Sequence, residues 1–208
     1  MKEKTACFTG HRQIPENEYD GIQKRLESEI INLINQGVRN FCAGGALGFD
    51  TMAALAVLSL KEKYPYVQLI LILPCKEQTR GWTEADKKIY GQILLKADKA
   101  VYTSEHYYNG CMFTRNRHLI DNSVVCVCYL KSVRGGTAYT VDYAKRKGLK
   151  IIRACLKNPT RTAFWRFFRR TALKFLEIRA YSFKILPCAA KKSLKNLHTG
   201  IFQTRPNM

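Results

Sequence analysis

Two hydrophobic periods alternate along the chain. Short runs such as VQLILIL at 67–73 and SVVCVCYL at 123–130 are apolar at almost every position. Strands of this kind are covered on both faces, as in a parallel sheet. Between such runs the spacing changes. Residues 18–35 place Ile22, Leu26, Ile30, Leu33 and Ile34 on one face at a period near 3.6, which predicts an amphipathic helix, and Gly37 stops it. The same reading predicts strands over 4–9, 39–43, 67–73, 98–102, 123–130 and 149–154, and helices over 18–35, 48–63, 84–96, 111–122 and 135–147. Strict alternation of strand and helix implies an α/β fold with an open, doubly wound, mostly parallel sheet and helices on both faces.

The pattern ends near Cys155. Asn158-Pro159 is a break, and 160–182 are basic and aromatic, with Phe164, Trp165, Phe167, Phe168, Phe175 and Tyr181. Phe164, Phe168, Phe175 and Ile178 can share one helical face, but the interleaved arginines do not segregate from them. Residues 156–208 therefore read as a partly helical basic extension, too short for a core of its own, on a domain spanning 1–155.

Charge adds a partner class. The formal net charge is +19, of which residues 1–155 carry +8 and residues 156–208 carry +11, with Glu177 the one acid of the extension. A single-sign field of that size attracts polyanions. Nucleic acid, an anionic membrane surface and a phosphorylated metabolite all fit it. No run reaches a membrane-spanning length, and no apolar h-region precedes the first glycine. Eight cysteines form no CxxC pair, and with four histidines they offer no metal-ligand cluster. They read as buried free thiols in a reducing, cytoplasmic compartment.

Three small-residue turns fall where predicted strands end: Thr9-Gly10-His11-Arg12, Gly44-Gly45 through Gly48 to Asp50, and Gly135-Gly136-Thr137. In an open parallel sheet such ends share one edge, where ligands bind. Glycine lets backbone approach a ligand closely, and helix-start amides face anions. Thr9 and Thr137 add hydroxyls, and Arg12 can clamp a phosphate. Arg115 and Asn116, near the start of the fourth helix, are further pocket candidates. Asp121 is spaced to pair with Arg117. Asp50 can take a ribose hydroxyl or cap its helix. Gln78 or Trp82 can contact a base, with Trp82 packing over the sheet edge as the alternative. Neither GxGxxG nor GxxxxGK[ST] is present, so a generic dinucleotide oxidoreductase and a P-loop NTPase are weak readings.

Taken in order, TGHR at 9–12, GGALGFD at 44–50, the stretch from Pro74 through Gln78 and Trp82 to Asp86, Lys87 and Tyr90, Arg115-Asn116, Asp121, and Gly135-Gly136-Thr137 before Tyr143-Ala144 resemble the YpsA-like (DUF1273) family of the SLOG superfamily. The resemblance covers about 4–154. It implies a Rossmann-like fold related to the DNA-processing protein DprA and the LOG nucleotide hydrolases. It also implies a bound nucleotide or nucleotide-derived ligand, such as NAD, ADP-ribose or AMP, a link to stress responses, and pairing of two copies as a homodimer.

The chain departs from the hydrolase branch, which is similar in a PGGxGTxxE motif. Val133-Arg134 precede Gly135-Gly136-Thr137 here, and the first acid afterwards is Asp142. Breaking an N-glycosidic bond needs a carboxylate near the sugar; Asp50 and Asp142 are the candidates. No catalytic or metal residue is assigned. The leading reading is a nucleotide binder or sensor. The alternatives are DprA-like single-stranded DNA binding, through the basic extension, and a LOG-like nucleoside monophosphate N-glycosidase.

Overall fold

A computed structural model describes residues 2–155; the readings made for 156–208, Cys188 included, lie outside the described residues. After a 3-10 turn at Lys2–Lys4 the elements are β1 (Thr5–Gly10), α1 (Glu16–Asn35), β2 (Asn40–Ala43), α2 (Phe49–Leu60), β3 (Gln68–Leu73), α3 (Glu84–Lys96), β4 (Lys99–Tyr102), α4 (Cys111–Asp121), β5 (Val125–Tyr129), α5 (Gly136–Arg146) and β6 (Lys150–Arg153). The six strands form one sheet in the order β4-β3-β2-β1-β5-β6. Every pairing is parallel.

The chain winds outward from β1 to β4, then crosses back to place β5 on the other side of β1. Right-handed crossovers put the helices of these two halves on opposite faces. On one face, α1 (Ile22, Leu26, Ile30), α2 (Met52, Ala53, Val57) and Ile93 of α3 pack against Phe8, Phe41, Leu71 and Val127. On the other face, Leu119 and Ile120 of α4 and Val141 and Ala144 of α5 pack against Cys7, Cys42, Ile72, Cys126 and Cys128. The runs with no polar alternation are thus the strands covered twice. The reversal of winding between β1 and β5 opens a crevice at their carboxyl ends.

Two helix boundaries differ from the periodicity by two residues or more. Helix α1 begins two residues earlier than predicted, because Pro15 takes the cap position and its carbonyl accepts the Glu18 N–H at 2.9 Å. Helix α2 ends at Leu60, and the Leu60 carbonyl instead closes the following turn by accepting from Lys63 and Tyr64.

Cys7 is in register with Cys42 on one side and Cys126 on the other, so three thiols cross the sheet in a row beneath α4 and α5. The described cysteines are all free. Burial pushes the Cys42 thiol up to about 12 and the Cys128 thiol up to about 11. Neither forms thiolate at neutral pH, and thiolate is the reactive species. Among the described residues no helix is long and apolar enough to cross a membrane. Iodoacetamide at pH 7.5 should leave Cys42 and Cys128 unmodified in the native protein and alkylate both in guanidinium, read by peptide mass spectrometry. Native labelling of either would mean that this face of the sheet opens.

Candidate functional site

The carboxyl ends of β1, β2 and β5 deliver the three glycine turns to one rim. A cavity of about 320 Å³ lies there, lined by Thr9, Gly10, His11 and Arg12 from the first turn, Ala46 and Asp50 from the second, and Gly136 and Thr137 from the third. Phe8 closes one wall, and Met112, Arg115 and Asn116 of α4 close another. A neighbouring cavity of about 500 Å³ shares Arg12 and Met112 and is otherwise lined by Glu77, Gln78, Arg80, Trp82, His106 and Tyr107. A third, of about 700 Å³, opens on the other side of Arg12 among Ile14, Tyr129, Lys131 and Ser132. Arg12 stands where all three meet. Its side chain is exposed and makes no hydrogen bond or ion pair among the described residues.

The second turn is built around a buried ion pair. Asp50, in the first turn of α2, bends back toward the backbone of Gly44 and Ala46, whose amides favour its charged form. Arg115 Nη1 lies 3.5 Å from Asp50 Oδ2, and both side chains are 7% exposed. Burial pushes the Asp50 carboxyl up and the Arg115 guanidinium down, and their mutual attraction opposes both shifts. A Cβ on Gly44 would fall on the Arg115 guanidinium and 2.7 Å from Asp50 Oδ2, so the strand end tolerates only glycine there. Gly48, the α2 cap, has φ +76, and a side chain on it would run into the Arg12 backbone.

These contacts revise two expectations. The amides of Gly44 and Ala46 face Asp50 and favour its charged form, and the Phe49 N–H donates to the His11 carbonyl at 3.2 Å. Gly44, Gly45 and Gly48 are not among the residues that line the cavities described here; Gly44 packs against the pair, Gly45 against Leu73 and Gln78, and Gly48 against the Arg12 backbone. Asp50 caps no helix, since the α2 cap is Gly48 without a side-chain bond. The anion-facing backbone is left to the start of α5, where the first-turn amides have no intrahelical partner and the helix dipole is positive. Gly135 is its cap at φ 99 and is not among the residues that line the cavities, unlike Gly136 and Thr137.

Arg115 is under-coordinated. A guanidinium has five donors. Here Nη1 meets one carboxylate at 3.5 Å, Nη2 meets the Met112 sulfur at 3.9 Å, and Nε has no partner among the described residues. Arg12 is close enough to act electrostatically on both members of the pair. The smaller cavity thus holds two cations against one carboxylate.

Other predicted residues are engaged as braces. The Thr137 hydroxyl donates to the Gly10 carbonyl at 3.0 Å, tying the third turn to the first. Asn116 donates to Thr140 at 2.8 Å. His11 Nε2 accepts the N–H groups of Lys131 at 3.0 Å and Ser132 at 3.3 Å, which requires the neutral ring with its proton on Nδ1. Burial, then the Lys131 charge, holds the His11 pKa below its ordinary value. Gln78 Nε2 donates to the Gly45 carbonyl at 2.5 Å. Trp82 is half-buried and meets Tyr90 edge-on at 5.6 Å, so it both packs on α3 and lines the cavity of about 500 Å³.

Arg117 and Asp121 do not pair. Arg117 Nε donates to the Tyr139 hydroxyl at 2.9 Å, while Asp121 accepts from Tyr143 at 3.1 Å and pairs with Lys147 at 3.2 Å, all across to α5. Asp142 is exposed, pairs with Arg146 at 3.6 Å and lines none of the cavities described here. Neither carboxylate considered for glycosidic chemistry stands free at the site. The residues not singled out from sequence are Met112, Glu77, Arg80, His106 and Tyr107. The last four flank or face Gln78, and only the crossing of the β3–α3 and β4–α4 loops brings them together.

Residues 8–156 match the model of the YspA SLOG family. The chain belongs to this family. Among its relatives, a UPF0398 protein of Halalkalibacterium halodurans is 34% identical over 129 residues, covering 61% of this chain and 68% of that one. The SPbeta prophage-derived protein YoqJ of Bacillus subtilis is 31% identical over 139 residues, covering 59% and 81%. Among solved structures, the DNA processing protein A of Streptococcus pneumoniae superposes with a TM-score of 0.54 at 15% identity, over 73% of this chain and 50% of that one. The Helicobacter pylori protein, whose structure is described by its single-stranded DNA binding mode, gives 0.52 at 17% identity, over 73% and 65%. This SLOG chain therefore shares their fold while aligning with half to two thirds of their length.

Two outcomes test the site's construction. Asp50→Asn strands the Arg115 charge and should lower urea-unfolding stability by about 3–5 kcal/mol; adding Arg115→Met should recover part of that loss. A double variant less stable than Asp50→Asn would mean that the pair does not act as one unit. The second outcome concerns pH. The native His11 pKa is depressed, so the unfolded chain takes up the proton first. Its contribution to stability is complete above the ordinary value of 6.5 and is lost as pH falls through the native value. His11→Gln should flatten the stability profile below pH 6.5 relative to the parent; parallel profiles would count against the brace.

Proposed function

We propose that the cleft binds a nucleotide or nucleotide-derived ligand of the AMP, ADP-ribose or NAD type, with its phosphate in the smaller cavity. The observation that carries this reading is the charge balance there. Arg12 is free, Arg115 is under-coordinated, one buried carboxylate opposes them, and the start of α5 adds oriented amides. A phosphate completes such a set, since guanidinium and helix-start amides are matched to its oxygens. Thr9, Gly10, Gly136 and Thr137 provide the close walls, Asn116 faces the sugar, and Gln78 and Trp82 belong to the base side. The adjoining cavity of about 500 Å³ has the scale of a base and ribose.

Ligand-induced thermal stabilisation of the full-length protein tests this. At a hundred times Kd, AMP, ADP-ribose or NAD should add about 2.7 kcal/mol, which is a rise in Tm of roughly 5–10 °C for a chain of this size. Arg12→Ala should fold normally, because that side chain holds nothing together, and should abolish the shift. A shift that survives Arg12→Ala would remove the phosphate assignment.

A second reading, single-stranded DNA binding, draws on the charge of +19, concentrated in residues 156–208, and on what the Helicobacter pylori neighbour is described as binding. A cationic groove with aromatic side chains suits single strands. Under this reading, binding of labelled oligothymidylate weakens steeply with salt. Replacing Arg166, Arg169 and Arg170 with Gln reduces it, and Arg12→Ala leaves it in place.

A further inference from the structure

The cavity of about 500 Å³ carries a cation for which the ligands proposed above have no use. Arg12, shared with the smaller cavity, is assigned to the phosphate. Arg80 lines the cavity of about 500 Å³ and not the smaller one, and it comes from the β3–α3 loop, whereas Arg12 comes from the β1–α1 loop. The Arg80 side chain is exposed and makes no hydrogen bond, ion pair or ring contact among the described residues. Its backbone is held. The Arg80 N–H donates to the Glu77 carbonyl at 3.0 Å, and the Trp82 N–H donates to the Thr79 carbonyl at 3.1 Å. Two overlapping turns thus fix the segment from which Arg80 and Trp82 line the wall.

The rest of the lining does not neutralise this charge. Glu77 is the one acid there among the described residues. Its oxygens already take the His106 Nδ1 at 3.0 Å and the Tyr107 N–H at 3.0 Å. Two guanidiniums therefore face one engaged carboxylate, and a sugar with its base brings no charge for Arg80. A guanidinium is matched to phosphate, which it grips with parallel N–H donors. In dinucleotide sites on doubly wound sheets, an arginine near the ribose accommodates a phosphate on the 2′-hydroxyl.

We propose that Arg80 is a specificity-determining residue for a second phosphate, carried as a monoester on the 2′- or 3′-hydroxyl of the ribose. The cleft then prefers a bisphosphorylated nucleotide to its 5′-monophosphate. The proposal rests on the nucleotide reading above and adds a group on the secondary ribose hydroxyls that AMP, ADP-ribose and NAD lack. Two guanidiniums on separate loops suit two phosphates separated by a sugar. A contiguous polyphosphate chain keeps its charges together and does not use both in this way. The net charge of +19 attracts every polyanion, so the deciding comparison is between ligands with the same number of phosphates.

Calorimetric titration of the full-length protein at fixed salt, with AMP, ADP, adenosine 2′,5′-bisphosphate and adenosine 3′,5′-bisphosphate, tests the proposal. One of the two bisphosphates should bind more tightly than AMP by about tenfold or more, the scale of a hydrogen bond to a charged group, and more tightly than ADP. The isomer that gains identifies the hydroxyl. Arg80→Gln should remove the gain and leave AMP binding as in the parent, because that side chain holds no other described residue in place. No gain for either bisphosphate, an equal gain for ADP, or a gain retained in Arg80→Gln would each overturn the proposal while the phosphate site at Arg12 stands. AMP binding weakened in Arg80→Gln as much as bisphosphate binding would overturn it too, since Arg80 would then serve the 5′-phosphate. Failure of all four nucleotides to bind would overturn both readings together.

Discussion

Asp50 and Arg115 come from helices on opposite faces of the sheet and meet over its carboxyl edge. That single contact governs how the rim is built. A carboxylate buried so fully must be compensated, and the compensation comes from two amides of its own turn and one guanidinium from across the sheet. The turn therefore closes around Asp50, with Gly44 crowded against the pair. The guanidinium, held by one carboxylate at 3.5 Å, keeps unspent hydrogen-bond donors among the described residues. Arg12 lines the same cavity as the pair, which sets two cations against one carboxylate at the rim.

The rest of the rim is a set of loops fastened to one another by single side chains. Thr137 ties the α5 start to Gly10, His11 ties the first turn to residues 131–132, Gln78 ties the β3–α3 loop to Gly45, and Glu77 ties that loop to residues 106–107. Each fastening spends a polar group that, from sequence, is equally suited to hold a ligand. The cavity is thereby shaped before any ligand arrives, and preorganisation of this kind reduces the entropy lost on binding. Several residues that carry the family resemblance serve the scaffold in the same way. Asp121 and Tyr143 join α4 to α5, Tyr90 supports Trp82, and the Asp86 N–H is capped by Thr83.

Periodicity was enough to read the fold. Strands covered on both faces must be apolar throughout, helices covered on one face must repeat near 3.6, and their alternation leaves few topologies. VQLILIL and SVVCVCYL follow the first rule, and the Ile22–Ile34 face follows the second. The glycines at 10, 44 and 48 were legible as strand-end turns for the same local reason, since a tight turn between strand and helix leaves no room for a Cβ.

The roles within the rim were not legible. Arg117 and Asp121 have the spacing of a helical pair, yet each finds a better partner on α5. Asp50 sits where a cap or a ribose ligand belongs, yet it is taken by an arginine 65 residues away. Spacing along the chain determines which face of a helix a residue occupies. What that face meets depends on how the helices cross and which loops stand opposite. The sequence by itself determined the sheet, its double winding and the edge where the glycine turns gather, because backbone periodicity and turn sterics are local. Only the tertiary structure decided which polar groups are consumed in holding that edge together and which are left over for a ligand, because hydrogen-bond partners compete across distances that no local pattern records.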